Sequence, residues 1–160
     1  MSNIILGVGD YGASNSPGDI VKTFALGSCV AVILLDPATR CVGMVHVALP
    51  DSNINRDKAR ERPGYFADTG IPALLKQMTT LGCNMRKLTV KLAGGAQIMD
   101  PNNTFNIGKR NILAVKKILW QYGMGPVAED VGANFSRTVS VSTNTGEVVL
   151  NTPGRPPWKL

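Results

Sequence analysis

Long apolar runs, histidine and aromatic side chains are all scarce in this 160-residue chain. No apolar run approaches the ~20 residues that a bilayer-spanning helix needs, so no membrane insertion is expected. The opening residues, Met1-Ser2-Asn3-Ile4-Ile5-Leu6, lack a basic segment ahead of their short apolar patch, which argues against a secretory signal. Three cysteines, at 29, 41 and 83, are odd in number and irregularly spaced. That pattern predicts neither a disulfide framework nor a zinc site, and points to a reduced, cytoplasmic protein with Cys41 and Cys83 in structural roles. Nine aromatic residues (four Phe, three Tyr, two Trp) offer no stacking platform for single-stranded nucleic acid. No internal repeat, low-complexity segment or linker divides the chain, so 1–160 reads as one domain.

What is present is a globular balance, 44% apolar and 18% charged. Seventeen Lys and Arg against eleven Asp and Glu give a net charge of +6. An excess of that size suits nucleic acid or an acidic protein partner, and composition does not choose between them.

Pattern supplies the elements. A strand is expected over 3–9, followed by a loop rich in Gly, Ser, Asn and Pro over 10–19. Two β-branched apolar runs, 30–35 and 42–49, flank the turn signal Asp36-Pro37-Ala38-Thr39 and predict a buried hairpin. The polar stretch 51–64, with Arg56, Lys58, Arg60 and Arg62, reads as an exposed loop. Apolar residues recur at helical spacing over 71–81, with Asp68 or Thr69 as cap, Pro72 in the first turn and Gly82 as stop. A half-buried strand over 87–92 leads into Gly94-Gly95. A second helix spans 109–122 and ends at Gly123. Two alternating strands, 137–142 and 147–151, flank the turn Asn144-Thr145-Gly146. Two main helices against about seven strands predict an α+β fold, layered, with a mixed and largely antiparallel sheet.

Chemistry concentrates at the hairpin. His46 is the only histidine, and Cys29 follows Gly27-Ser28. Facing residues in an antiparallel hairpin have a constant sum of positions. A two-residue loop at Pro37-Ala38 sets that sum to 75, which puts Cys29 opposite His46 with Cβ atoms about 4.5–5.5 Å apart. A three-residue loop would send His46 to the other face. A thiol beside an imidazole can attack an acyl carbon: the imidazolium lowers the thiol's pKa, and the ring then protonates the leaving group. Thr23, Ser28 and Asp36 are the nearby polar residues that could orient the ring. Gly27 would let backbone N–H groups turn toward an oxyanion. The competing interpretation makes Cys29 a small buried hydrophobe and His46 a core residue. Gly7-Val8-Gly9-Asp10-Tyr11-Gly12 matches GxGxxG, but Ser16-Pro17-Gly18 cannot open the helix that a dinucleotide site requires.

These residues resemble a known family. Leu26-Gly27-Ser28-Cys29-Val30-Ala31-Val32, Asp36-Pro37 and Gly43-Met44-Val45-His46-Val47-Ala48-Leu49-Pro50 are similar to the signature of the CheD chemoreceptor glutamine deamidases. The resemblance continues through 68–75, Lys91-Leu92-Ala93-Gly94-Gly95-Ala96, Ile107-Gly108-Lys109-Arg110-Asn111, Asp130-Val131-Gly132 and 137–146. It implies a catalytic set of Cys29, His46 and Thr23; Gly27 and Ser28, just before the thiol, are expected at the substrate. It implies deamidation of glutamines on methyl-accepting chemotaxis receptors, with no metal and no organic cofactor. It also implies a layered fold similar to the catalytic domain of cytotoxic necrotizing factor toxins, and association with the phosphatase CheC. A non-catalytic regulatory role toward CheC is the alternative. Val131 and Ala48 depart from the family pattern, and the basic loop 51–64 aligns least well.

Overall fold

The apolar runs on either side of Asp36 form the centre of the molecule. In the computed structural model, which describes residues 2–98 and 105–160, they are β4 (Val30–Asp36) and β5 (Cys41–Val47). Every residue of both strands is buried. Continuous apolar sequence rather than alternation is what a strand covered on both faces demands.

Around this hairpin the described residues form two five-stranded sheets. One has the order β2 (Tyr11–Ser14), β5, β4, β6 (Thr89–Gly94), β7 (Pro126–Val131). The other runs β1 (Asn3–Leu6), β3 (Ile20–Leu26), β8 (Arg137–Ser142), β9 (Val148–Thr152), β10 (Arg155–Lys159). Only β1–β3 and β6–β7 pair in parallel. The sheets stack through Ala31, Ile33 and Met44 of one and Val21, Val139 and Val141 of the other. The far face of the β4–β5 sheet carries α2 (Ala67–Thr80) and α3 (Ile107–Gln121), whose Ile71, Leu74, Val115 and Leu119 fill a second core. The order of layers is sheet, sheet, helices. The expected α+β class, mixed pairing and two main helices are all present.

Several local expectations are corrected. The described residues hold ten strands rather than seven. Of the four without a sequence signal, β2, β7 and β10 are sheet edges, and β3 lies inside its sheet between β1 and β8. Helix α2 starts at Ala67, four residues early, with Phe66 at its cap and no capping side chain. Asp68 instead accepts from the backbone N–H and the hydroxyl of Ser52, at 2.9 and 2.6 Å. Pro72 therefore falls inside the helix, where it cannot donate to the Asp68 carbonyl. The 51–64 stretch contains a 3-10 turn (Ser52–Ile54) and a short helix, α1 (Arg56–Glu61), capped by Asn55. Finally, Cys41 and Cys83 form a disulfide. They are 42 residues apart in sequence, so spacing gives no hint of it. The packing of α2 on β5 brings them together.

Candidate active site

The β4–β5 loop has four residues, 37–40, because Asp36 pairs with Cys41. Facing positions therefore sum to 77, not 75: Ala31 lies opposite His46 and Val30 opposite Val47. The slip is two residues, so side-chain parity survives and Cys29 stays on the His46 face of the sheet. Cys29 sits diagonally from His46, a relation that a regular ladder sets at about 7–8 Å. It packs against the core between the two sheets and is the only free cysteine.

His46 projects into the same layer, where Thr23 meets it from the opposite sheet. The Thr23 hydroxyl lies 2.7 Å from His46 Nδ1 and donates to the Leu6 carbonyl at 2.8 Å. A hydroxyl has one proton, and a carbonyl can only accept. With that proton committed to Leu6, Thr23 must accept from Nδ1–H. The geometry thereby selects the tautomer with a bare Nε2. That nitrogen is buried and has no hydrogen-bond partner among the described residues.

The backbone around both residues is tightly tied. His46 N–H donates to the Asp10 carbonyl at 3.0 Å, and the His46 carbonyl accepts from Gly9 N–H at 2.9 Å. The Asp10 carboxylate is held by Gly7 N–H and by the Arg62 guanidinium. On the nucleophile side, the Gly27 carbonyl accepts from Ala96 N–H and the Cys29 carbonyl from Gly95 N–H, each at 2.8 Å. The Ser28 carbonyl accepts from Asn111 Nδ2 at 2.9 Å. Among the described residues no peptide bond is cis. In a trans peptide the N–H opposes the C=O, so tying these three carbonyls turns the N–H groups of Ser28, Cys29 and Val30 the other way.

Electrostatics here differ from the sequence expectation. Burial lowers the His46 pKa to about 4, against a smaller upward pull from the Asp10 carboxylate. Burial raises that of Cys29. An imidazolium that lowers the thiol's pKa is therefore not the resting arrangement. Both groups are held neutral, with Nε2 as a base.

Gly27 also departs from expectation. Its φ is not left-handed, and an added Cβ would meet only Ile98 Cδ1, at 3.9 Å. The left-handed residue in this corner is Ala25, at φ 51°, where β3 breaks register against β8 just after Thr23. Glycine is required instead at Gly94, whose φ is +110° and whose Cβ would collide with the Cys29 carbonyl. Of the other polar candidates, Ser28 adjoins Cys29, whereas Asp36 lies at the far end of β4 and binds Thr39 and Asn84. The 320 Å³ cavity at the β4–β5 turn, beside Arg40, Lys91 and Asn144, is lined by Asp36 but by none of Cys29, His46, Thr23, Gly27 and Ser28.

Two buried polar residues were given no role in the sequence reading. Asn111 is fully buried and bonds to the nucleophile loop. Arg137 is 1% exposed, binds Asp130 at 2.7 Å and the Gly132 carbonyl at 2.9 Å, and pairs in register with Leu26. The available signals were a polar residue within the apolar stripe of α3 and a cation on the inward face of β8.

Comparison with known proteins bears on this site. A family model described as "CheD chemotactic sensory transduction" matches residues 48–152. A protein of Syntrophotalea carbinolica named probable chemoreceptor glutamine deamidase CheD is 60% identical over 162 residues, covering 100% of both chains. The chain belongs to the CheD family. A CheD of Thermotoga maritima, named chemoreceptor glutamine deamidase, is 40% identical over 150 residues, covering 94% of this chain and 92% of its own. Among solved structures, a Bacillus licheniformis hypothetical protein, YfiH, is similar over 78% of this chain and 51% of its own, with 12% identity. The TM-score of that pair is 0.43. No helix of the described residues is long and apolar enough to cross a membrane.

Proposed function

We propose that this CheD-family chain is a cytoplasmic protein-glutamine deamidase that converts glutamines of chemoreceptors to glutamates, with Cys29 as nucleophile. The observation that carries this reading is the Nδ1-protonated His46. Its Thr23 partner leaves Nε2 bare, in the layer where the only free cysteine packs. The names of the relatives support the substrate class.

In the proposed sequence, Cys29 Sγ attacks the glutamine Cδ while its proton passes to His46 Nε2. Amide N–H groups of Ser28 and Cys29 receive the oxyanion. His46 then returns the proton to the departing nitrogen, and ammonia leaves behind a γ-glutamyl thioester. Water attacks the thioester carbon, giving its proton to Nε2. The C–S bond breaks, glutamate is released and the thiol is restored. Because the resting pair is neutral, proton transfer accompanies attack rather than preceding it. No metal or cofactor enters any step, and Thr23 fixes the ring throughout.

The test is ammonia release from purified receptor fragments, with mass spectrometry locating the glutamine-to-glutamate change. Cys29→Ala and His46→Ala should each abolish it, and retained activity in either overturns the mechanism. The family resemblance implies association with a CheC phosphatase, which we also propose. Co-sedimentation of the two purified proteins tests it. The likeness to the cytotoxic necrotizing factor catalytic domain is likewise a proposal, to be tested by superposition.

A further inference from the structure

Helix α3 contributes nothing that touches the proposed reaction, yet one of its side chains reaches both halves of the site. Asn111 Nδ2 donates to the Ser28 carbonyl and to the Ala48 carbonyl, each at 2.9 Å. The first belongs to the peptide unit that supplies the Cys29 N–H. The second lies two residues beyond His46, just past the end of β5. One nitrogen therefore sets the separation between the nucleophile's peptide plane and the strand that carries the base.

Few residue types fit this position. Both partners are acceptors, so the amide can take only the orientation observed, with its NH2 toward them. A carboxylate would oppose two carbonyls, and an aliphatic side chain would orphan both. Asn111 Oδ1 is buried and has no hydrogen-bond partner among the described residues. The helix is also pressed close: a Cβ on Gly108 would lie 2.7 Å from the Ala96 carbonyl and closer still to that of Gly95. The same Gly95 and Ala96 donate to the Cys29 and Gly27 carbonyls. Approach of α3 and pinning of the nucleophile loop are one packing arrangement.

We propose that Asn111 is a positioning residue for the deamidation, clamping the Cys29 loop to the end of the His46 strand. The inference rests on the thiol reading above. The experiment measures kcat and KM for ammonia release in wild type, Asn111→Ala, Asn111→Ser and Cys29→Ala. The rate of iodoacetamide alkylation of Cys29 is followed in all but the last.

For Asn111→Ala the expected result is a kcat at least tenfold lower per folded molecule, with KM within threefold. Alkylation of Cys29 at pH 8 should be at least threefold faster as the loop loosens. Asn111→Ser, with one donor, should fall between Asn111→Ala and wild type. Unchanged kcat and alkylation in folded variants overturn the proposal. So does failure of both variants to fold, since the residue would then serve stability alone. Activity retained in Cys29→Ala defeats the thiol reading itself. An inactive Cys29→Ala beside normal Asn111 variants defeats only the clamp.

Discussion

Replacing Thr23 with valine keeps its shape and removes one oxygen. In the fold that oxygen serves two buried neighbours, the Leu6 carbonyl and His46 Nδ1–H. Thr23 itself is fully buried and His46 is 3% exposed, so water does not substitute easily. Each orphaned group costs about 1–3 kcal/mol, which puts the combined loss at about 2–6 kcal/mol if the ring keeps its tautomer. The ring has an escape, because moving its proton to Nε2 leaves Nδ1 a bare acceptor. That relieves part of the instability and occupies the nitrogen that the mechanism needs empty. Thr23→Val should therefore lower kcat by roughly 10²- to 10⁴-fold, the range of general acid–base assistance, with KM little changed. Thr23→Ser, which keeps the oxygen, should stay within a few-fold of wild type. The chain has one histidine, so long-range ¹H–¹⁵N spectra report His46 alone. They should show Nδ1–H in wild type and a shift toward Nε2–H in Thr23→Val. An unchanged tautomer together with kcat within threefold of wild type would refute the relay.

Three further outcomes are expected. The His46 signal should titrate near pH 4. Between about 6.5 and about 4 the unfolded chain takes up a proton that the folded chain refuses, so stability falls as pH falls through that window. The loss approaches roughly 3 kcal/mol, and a titration midpoint near 6.5 would sink this account. Alkylation of Cys29 in the free protein should be slow at neutral pH and accelerate only above the ordinary cysteine range, because burial raises its pKa. A rapid plateau at pH 7 would instead reveal a preformed thiolate. Reducing Cys41–Cys83 opens a 42-residue loop and should cost about 4 kcal/mol in denaturant melts, whereas identical midpoints with and without reductant would contradict the pairing.

The parts of the fold that the sequence made legible are those whose signal is local and dense. The hairpin of β4 and β5 announces itself through two β-branched runs around Asp36-Pro37, and the helices through their apolar periodicity. Of the missed strands, β2, β7 and β10 carry Gly12, Pro126 and Pro156-Pro157, whereas β3 is internal and its run is interrupted by Lys22 and Thr23. At an edge, one neighbour supplies the ladder and the strand's own propensity matters little. The site followed the same division. Cys29 and His46 were legible because hairpin pairing links sequence number to side-chain face, and a two-residue error in register leaves the face unchanged. Thr23 was reached among alternatives and then through family resemblance, since its contact crosses between sheets. Asn111 depends on where α3 lands, and no local pattern predicts that. The neutral state of the thiol and ring was hidden for a related reason, because burial is a property of the assembled layers.

Thr23 belongs to one sheet and His46 to the other, and between them lies ordinary apolar packing from Val21, Met44 and Val139. Sliding one sheet across the other by a fraction of an ångström would stretch the threonine–imidazole contact while leaving each reacting residue in place. Hydrostatic pressure, or volume changes at Val139 or Met44, should then tune turnover from within the packing layer. In a protein built this way, evolution has a dial for rate that no inspection of reacting side chains would find.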